Sequence, residues 1–374
     1  MSSIFGKVFQ VSTFGESHGK ALGVIIDGCP ANIPLCHGLI QKQVNRRRPG
    51  QSGITSPRNE PDKIICLSGE ENYRTLGSPL TFMVMNKDQK PEEYKKNNHI
   101  FRNSHADFTT YQKYGIMASS GGGRSSAREA VARTIAGSVA HQMLSHFLPA
   151  IRILAFVSRV GPIVAATNEL VADEQLQPDQ IDAHPTRCPD QAVQTAMLEY
   201  IEELMTRGDT IGGEITCVIR GLPPGLGEPV FDKLNSDLAK AMMSIPAARY
   251  FHQGNGYEST YHQGSENNDP LSVETNTGNI IYTTNKAGGI EGGISTGAPI
   301  FFQVGFKPPS SIQHQQSSVT KQGIPSTYSL KGRYDPCVLP RAAPIVESMA
   351  CLVLADHYLR QKIQSWIPFK ESRS

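Results

Sequence analysis

The sequence is poor in the features that define several protein classes. Its seven cysteines include no C-x-x-C pair, and their odd number argues against a disulfide framework. No run of about eighteen apolar residues occurs, and the start MSSIFGKVFQ has no apolar segment of the secretory type. We therefore expect reduced thiols, no metal, no membrane partner and a cytoplasmic location.

Net charge is also small. The 36 lysines and arginines nearly balance 34 aspartates and glutamates, for a net charge of +2. This value gives no reason to expect nucleic acid or a membrane as the main partner, and it leaves a small anionic ligand open.

Glycine and proline, in contrast, are plentiful. The chain has 34 glycines and 25 prolines among 374 residues, which predicts many turns within a globular fold. A prior of roughly 150 residues per domain allows two or three domains. No linker or shift in composition divides the chain, so we expect a single domain over residues 1–374.

Strands and helices alternate along the predicted fold. Two strands, one ending near Thr13 and one over 22–26, flank a Gly-bounded loop that carries Glu16, Ser17 and His18. A long loop is expected over 87–112. Further strands are predicted over 79–86, 151–158, 211–220 and just before residue 306, and helices over 37–47, 190–207, 231–243 and 341–364.

A long helix is predicted to begin at Ser126 and to end before Pro149. Ser126 and Glu129 fit the S-x-x-E capping box. This helix and the closing helix both follow a polar, arginine-containing segment, which hints at a duplicated unit. The expected fold class is α+β, with two intertwined halves. The apolar face of the long helix is formed by Val131, Ile135, Val139 and Met143.

The stretch GGGRSSARE, residues 121–129, precedes this helix. The first turn of a helix leaves amide groups unpaired and carries a partial positive charge, so bare glycine backbone beside Arg124 suits an anion. The alternative is a tight turn followed by a solvated Arg128. The stretch matches neither the G-x-G-x-x-G nor the P-loop pattern.

Arginines also cluster before a bend. Arg46, Arg47 and Arg48 precede Pro49 and Gly50, and their planar guanidinium groups suit phosphate or carboxylate. Two other interpretations stay open, namely a solvated surface and a contact with nucleic acid. Arg333 and Arg341 raise the number of loop arginines, and the pattern suggests a multiply anionic substrate.

Three titratable residues stand in loops. His18 follows Glu16, and His105 precedes Asp107, so each imidazole has a carboxylate near it in sequence. A loop histidine can donate or accept a proton near neutral pH, although a merely solvated histidine is the alternative. Asp335 is the third candidate, with a simple ion pair as its alternative.

The segment FKPPSS, residues 306–311, supplies a lysine and two hydroxyls on a proline-stiffened turn. It suits an oxyanion, or it is a plain turn that ends a strand. Together these patterns predict a cytosolic enzyme that binds a phosphorylated, acidic small molecule, and they leave the reaction open.

Seven segments, in order and across nearly the whole chain, resemble the chorismate synthase family. Their common order is more specific than any one segment. They are FGESHGKALGVIIDGCP, RRRPGQS, SHADFTTYQKYG, ASSGGGRSSAREAVARTIAGSVA, GLPPGLGEPVFDKLNSDLAKAMMSIPA, AGGIEGGISTGAPI and KGRYDPCVLPRAAPIVESMACLVLADHYLRQ.

The resemblance implies a lyase of the shikimate pathway with a layered β-α-β sandwich fold and a homotetrameric assembly. The implied reaction is an anti-1,4-elimination of phosphate from 5-enolpyruvylshikimate 3-phosphate, giving chorismate. It implies reduced FMN as a cofactor without net redox change, and NADPH as a candidate flavin reductant. By the same resemblance His18 protonates the flavin, His105 protonates the departing phosphate, and Asp335 helps to remove the ring proton.

The resemblance also implies which residues contact the ligands. FMN contacts fall on Arg124, Ser125, Ser126, Ala247, Gly292, Lys307, Pro308, Pro309, Ser310, Ser311 and Arg333. Substrate contacts fall on Ser17, His18, Arg47, Arg48, Arg128 and Arg341.

The chain departs from the family pattern at several positions near these residues. Tyr334 stands where the family has histidine, and Asn103 stands where it usually has proline. Pro309 replaces a common threonine, and Gly53 stands where the family often has arginine. The stretch 248–253 differs as well. A second hypothesis is therefore a flavin-binding or phosphometabolite-binding protein of the same fold with reduced or lost catalysis.

Overall fold

The computed structural model describes residues 3–56, 58, 60–88, 99–118, 121–275, 277–330 and 334–364. The elements of the first half are β1 Ile4–Phe5, β2 Gln10–Gly15, β3 Ala21–Asp27, α1 His37–Arg47, β4 Ile64–Ser68, β5 Glu70–Glu71, β6 Arg74–Thr75, β7 Leu80–Met85, α2 Asp107–Tyr114 and α3 Ala130–Phe147.

The second half begins after α3 with another strand. Its first elements are β8 Arg152–Val160, β9 Ile163–Val164, α4 Thr167–Ala172, α5 Pro178–Asp182, α6 Gln194–Thr206, β10 Gly213–Arg220, α7 Leu234–Met243, β11 Ala248–Gln253 and α8 Gly264–Asn267. The remaining elements are β12 Leu271–Val273, β13 Ile280–Tyr282, β14 Ile290–Glu291, β15 Ile294–Ser295, β16 Ile300–Phe306, β17 Gln316–Val319, β18 Pro325–Tyr328 and α9 Leu339–Gln364.

Two five-stranded antiparallel sheets dominate the described chain. Sheet 1 has the order β1-β2-β3-β7-β4, and sheet 2 has the order β11-β16-β10-β8-β9. Strand β3 shows why the sheets form, because its alternate side chains Leu22, Val24 and Ile26 are fully buried on one face.

The two halves repeat one topology. In the first half, strands β2, β3, β4 and β7 follow in sequence, with α1 before the third strand and α3 after the fourth. In the second half, β8, β10, β11 and β16 follow in the same way, with α7 and α9 at the equivalent places. Each sheet then places the fourth strand between the second and third. The expectation of an α+β fold with a duplicated unit is confirmed at the level of topology.

The two long helices lie between the sheets. Helix α3 packs against sheet 1 and α9 packs against sheet 2, while the two helices contact each other along their length. The predicted apolar residues of α3, among them Ile135 and Met143, are fully buried, and each such side chain contributes about 1.5–3 kcal/mol. The layered β-α-β arrangement follows from this packing.

Helix α9 also has the length and apolar composition of a membrane span, which the sequence analysis did not anticipate. Its apolar window is, however, completely buried inside the fold. The helix is apolar on all sides because it is enclosed by α3, α7 and sheet 2.

The structure corrects two local predictions. The predicted loop over 87–112 contains the start of α2, which begins at Asp107. Helix α3 begins at Ala130 and not at Ser126, because residues 123–125 and 127–129 form two short 3-10 turns. Ser126 caps the second turn by accepting from the amide of Arg128, so the predicted capping box with Glu129 is wrong.

The crossing of α3 and α9 depends on Gly137. A Cβ added at Gly137 would lie 2.4 Å from Cβ and 2.5 Å from Cα of Ser348 on α9. Such distances require a shift of backbone, since a glycine is the only residue that fits this close approach.

We expect the Gly137→Ala variant to lower the free energy of unfolding by roughly 1–3 kcal/mol, because the added methyl group forces the two central helices apart. The measurement is the urea midpoint of both proteins. Gly264→Ala is the matched control, since a Cβ at Gly264 would meet nothing within 4 Å. Equal midpoints for the Gly137 and Gly264 variants would contradict this account of the crossing.

Candidate active site

The loop between β2 and β3 holds the first catalytic candidate. Ser17 is only 2% exposed, and its hydroxyl lies 3.0 Å from Nδ1 of His18. Because β2 and β3 pair with each other up to Gly15 and Leu22, close to the loop, the loop is held at both ends. The predicted loop position of His18 is confirmed.

The glycines of GGGRSSARE pack directly against both candidate histidines. A Cβ at Gly121 would lie 2.5 Å from Nδ1 of His18 and 2.9 Å from the Ser17 hydroxyl. A Cβ at Gly122 would lie 3.3 Å from Cε1 and 3.5 Å from Nε2 of His105. Gly121 also has a φ of +63°, which a side chain would strain. Two histidines that are 87 residues apart in sequence therefore meet at adjacent glycines.

His105 is oriented by an ion pair. Its Nδ1 lies 2.7 Å from Oδ1 of Asp107, and Arg102 donates to the same carboxylate at 2.6 and 2.8 Å. Burial alone would raise the pKa of Asp107, but hydrogen bonds from His105 and Arg102 hold it well below its ordinary range. A carboxylate only accepts, so Nδ1 of His105 is the donor and Nε2 is the other reactive position.

The residues after the glycines are engaged in the turn itself. The amides of Ser125 and Ser126 donate to the carbonyls of Gly122 and Gly123, at 2.9 and 3.4 Å. The expectation of unpaired first-turn amides is therefore wrong for these two residues, because 3-10 hydrogen bonds satisfy them. The guanidinium of Arg124 donates to the oxygens of Thr13 and Gly15, so it braces the end of β2.

Arg47 and Arg128 are buried beside Asp62. Nη1 of Arg128 lies 2.5 Å and Nη1 of Arg47 lies 3.7 Å from the Asp62 carboxylate. Both arginines are at most 5% exposed, so the alternatives of a solvated Arg128 and a solvated Arg47 are wrong. Burial lowers the pKa of Arg47 to about 9, opposed by Asp62 and reinforced by Arg341 and Arg128.

Their terminal nitrogens are only partly compensated. Arg128 is ion-paired through Nη1 to Asp62 and through Nη2, at 3.6 Å, to Glu60. Nη1 of Arg47 lies 3.7 Å from Asp62, and within the described part of the chain both of its terminal nitrogens are buried without a hydrogen-bond partner. Leaving such groups unsatisfied costs free energy, and an anionic ligand that accepts from them would recover it.

Asp335 joins this cluster through Arg341. Its Oδ1 accepts from the amide of Ser56 at 2.8 Å, and its other oxygen pairs with the Arg341 guanidinium. Arg341 also donates to the backbone carbonyl of Arg47 at 3.0 Å. The ion pair that was the alternative interpretation of Asp335 therefore exists, and it lies next to the buried arginines.

Asn86 connects the arginines to the His18 loop, and sequence reasoning missed it. Its Nδ2 donates to the carbonyls of Glu16 and Gly19 at 3.0 and 2.7 Å, and its Oδ1 accepts from Nε of Arg128 at 3.0 Å. Two buried acids, Glu60 and Asp62, were also missed. Their only signal was a pair of carboxylates in a proline-containing loop after the arginine-rich bend.

The FKPPSS turn approaches from sheet 2. Nζ of Lys307 donates to the carbonyl of Ser104 at 2.5 Å, which ties this turn to the His105 loop. The amide of Lys307 donates to the carbonyl of Ala247, whose φ is +72°. Burial and the nearby Arg249 lower the pKa of Lys307. In the same turn, the carbonyl of Pro309 accepts from Thr210, and Pro308, Ser310 and Ser311 adjoin it.

For two predicted ligand residues, the described part of the chain shows no contact with this cluster. Gly292 lies in the exposed turn between β14 and β15, where a Cβ would meet nothing within 4 Å. Arg48 lines a cavity of about 480 Å³ together with Asp182 and Arg187. Arg333 lies outside the described residues. Arg46 is buried as well, but it forms ion pairs with Asp182 and Glu347 instead.

Comparisons with known proteins agree with one another. A sequence model of the family described as chorismate synthase matches residues 9–359. A chorismate synthase from Prochlorococcus marinus (strain MIT 9301) is 50% identical over 364 residues, covering 97% of this chain and 98% of that protein. One from Opitutus terrae (strain DSM 11246 / JCM 15787 / PB90-1) is 48% identical over 365 residues, with the same coverage of both. A crystal structure of chorismate synthase superposes with a TM-score of 0.73 at 28% identity, covering 96% of this chain and 93% of that chain.

The layered fold and these relatives define an enzyme of the carbon–oxygen lyase class that acts on a phosphate ester. The chain belongs to the chorismate synthase family. It catalyses the final step of the shikimate pathway, in which 5-enolpyruvylshikimate 3-phosphate loses phosphate to give chorismate. The family predicted from the seven segments is thus confirmed.

We expect the Asn86→Ala variant to lower kcat/KM for chorismate formation by roughly 10²-fold, because it frees the His18 loop and the Arg128 side chain from each other. The measurement is steady-state chorismate formation. Asn168→Ala, on the exposed surface of α4, is the control and should keep the original rate. If both variants match the unmodified chain, Asn86 has no positioning role.

Proposed function

We propose that the chain performs this elimination with His105 as the acid for the departing phosphate, Asp335 as the base for the ring proton, and reduced FMN as cofactor. The observation that carries the proposal is the packing of His18 and His105 against the adjacent Gly121 and Gly122. Two imidazoles on one glycine turn, beside buried arginines, suit proton transfer to a multiply anionic ligand.

His105 is suited to donate a proton from Nε2. Its Nδ1 donates to Asp107 at 2.7 Å, so the ring keeps one orientation, and the doubly protonated imidazolium carries the proton for transfer on Nε2. The Nε2 atom points toward Gly122, where no side chain intervenes. When the carbon–oxygen bond to phosphate breaks, a proton from Nε2 neutralises charge on the leaving oxygen.

The buried arginines would hold the substrate. It carries two carboxylates and a phosphate, and the guanidiniums of Arg128 and of Arg47, whose terminal nitrogens lack hydrogen bonds, are donors that suit such groups. Arg341 contacts the carbonyl of Arg47, and Ser17 lies in the loop that Asn86 connects to Arg128. We assign Arg48 to the substrate by family resemblance alone.

Asp335 would accept the ring proton. The Ser56 amide and the Arg341 guanidinium hold the carboxylate in one orientation. A base that is fixed before the substrate arrives needs no reorganisation at the moment of reaction. The ring hydrogen leaves as a proton to this carboxylate while phosphate departs, so the elimination is balanced.

Reduced FMN fits the cationic turn around Lys307. Lys307 is held near another cation, Arg249, and an anionic phosphate there would relieve their repulsion. Arg124, Ser125 and Ser126, on the glycine turn, are the other proposed contacts, and the remaining family positions stay predictions. When bound, the reduced flavin supplies transient electron density for the elimination and ends the reaction still reduced. NADPH is the proposed reductant.

Two departures from the family pattern, Asn103 and Gly53, are accommodated locally. Asn103 anchors the His105 loop, since its amide donates to the Tyr328 hydroxyl at 2.7 Å and its Nδ2 to the carbonyl of Ser317 at 3.0 Å. Gly53 faces open space, since a Cβ there would meet nothing within 4 Å, so no neighbouring group packs into the place of an arginine. These contacts favour an active enzyme over a binding protein of the same fold.

We also propose a cytoplasmic location. All seven cysteines are free thiols, and five of them are buried. Free thiols of this number suit a reducing compartment.

The direct test is an anaerobic assay with 5-enolpyruvylshikimate 3-phosphate and chemically reduced FMN, following chorismate, phosphate and the flavin spectrum together. Equal release of both products with flavin still reduced supports the proposal. Tight flavin binding with no product would instead favour the binding protein. A parallel assay with oxidised FMN and NADPH tests whether the chain reduces its own flavin.

We expect the His105→Ala variant to lose roughly 10²-fold or more in turnover, because the acid for the leaving phosphate is removed. Its affinity for FMN, measured by fluorescence quenching, should stay within a few fold of the original. His262→Ala, in an exposed loop, is the matched control. Unchanged turnover in the His105 variant would refute the role assigned to this residue.

The outer face of sheet 1 supports one subunit interface of the proposed homotetramer. Phe14, Ile25, Met85 and Leu67 are between 38% and 57% exposed, and they lie on neighbouring strands of one face. A contiguous apolar surface of this kind is typical of a subunit interface. We propose that a second copy of the chain covers it.

We expect the Ile25→Lys variant to form smaller assemblies than the original chain, because a charge would be buried in the contact. Light scattering after size-exclusion chromatography gives the mass. Ile280→Lys, on the exposed strand β13, should leave the mass unchanged. A monomeric original chain at micromolar concentration, or a tetrameric Ile25 variant, would each contradict this interface.

A further inference from the structure

A second cluster of reactive side chains lies apart from the candidate active site. His37 begins helix α1, Cys66 lies on β4, and Glu70 begins β5. One ligand atom from each residue, a ring nitrogen, Sγ and a carboxylate oxygen, lies within 4.8 Å of the other two. None of the three takes part in the reaction proposed above. We call these residues the His37–Cys66–Glu70 cluster.

The donors are already oriented. Nε2 of His37 lies 2.7 Å from Oε2 of Glu70. The rings of Tyr73 and Phe82 pack edge-on against the imidazole at 5.6 and 5.8 Å, which restricts its rotation. The side chains of His37 and Glu70 are 30% and 17% exposed, so a small ion can reach them from solvent.

The geometry points to a zinc site at the His37–Cys66–Glu70 cluster, with these three side chains as ligands and water as the fourth. Imidazole, thiolate and carboxylate are the three ligand types that Zn²⁺ takes in proteins, and a tetrahedral site accepts three side chains and one water. Magnesium and calcium prefer oxygen ligands only, so this donor set selects against them.

Zinc would replace the proton between His37 and Glu70. Bonds of about 2.0–2.3 Å from a central ion set neighbouring ligand atoms roughly 3–4 Å apart, so small side-chain rotations complete the site. Burial and the charge of Glu70 raise the pKa of Cys66, and the ion displaces the thiol proton on binding.

The site would join two elements that lead into the active site. Helix α1 carries His37 in its first turn and Arg47 in its last. Strand β4 carries Cys66, and the chain just before β4 carries Asp62, the partner of Arg47. A metal at this cluster therefore crosslinks the far ends of the two elements and stabilises the folded chain.

The test is a titration of the full, reduced, chelator-treated chain with Co²⁺, a spectroscopic substitute for Zn²⁺, followed by competition with Zn²⁺. We expect one ion per chain, a thiolate-to-cobalt absorption band, and a higher melting temperature with Zn²⁺ but not with Mg²⁺. The Cys66→Ser variant should lose the band, and His37→Gln should weaken the affinity for Co²⁺ roughly 10-fold to 100-fold. Cys36→Ser, the exposed neighbour of His37, is the matched control and should bind as before.

A measurement on the unmodified chain keeps the proposal testable if a variant fails to fold. Zn²⁺ should slow alkylation of Cys66, located by mass spectrometry, and leave alkylation of Cys36 unchanged. The proposal is overturned by a chain that binds no stoichiometric Co²⁺, by binding that survives Cys66→Ser, or by equal protection of both cysteines.

Discussion

The structure of the candidate site depends on two arginines buried with two acids. Arg47 and Arg128 come from different elements, and both lie against Asp62, which is fully buried. Glu60, also fully buried, lies 3.6 Å from Arg128, but the terminal nitrogens of Arg47 have no hydrogen-bond partner within the described residues. Those unsatisfied donors are the physical support for the proposed binding of an anionic ligand. Asn86 holds the side chain of Arg128 through a hydrogen bond, and Arg341 donates to the backbone carbonyl of Arg47.

The glycine turn, residues 121–123, leaves space for the two histidines beside this cluster. Because Gly121 and Gly122 have no side chains, the imidazoles of His18 and His105 occupy the space that a Cβ at either position would need. A glycine-rich turn before a helix is usually taken as an anion-binding feature, and the sequence alone suggested that role. Here the amides at its end are used by 3-10 turns, and Arg124 is turned to the β2 strand. The glycine turn therefore allows the two histidines to approach the backbone closely, and it does not supply the amides of Ser125 and Ser126 to a ligand.

The repeated topology explains how one chain builds such a site. Each half supplies a sheet and a long helix, and the helices meet where Gly137 lies against Ser348. The first half contributes both histidines, while the second contributes Asp335, Arg341 and the turn around Lys307. Neither half contains the full set of proposed residues. The packing of α3 on α9 is consequently a requirement for the site as well as for stability.

The sequence by itself determined the α+β class, most element positions and the family, because apolar periodicity and seven ordered segments are local properties of the chain. The helix over His37–Arg47 and the loop of His18 are examples. Only the tertiary structure decided which charges meet. The sequence of three consecutive arginines does not predict that Arg46 pairs with Glu347 or that Arg47 lies beside Asp62. Adjacent residues at the end of a helix point in different directions, and each partner lies on an element whose place is set by packing of the two halves.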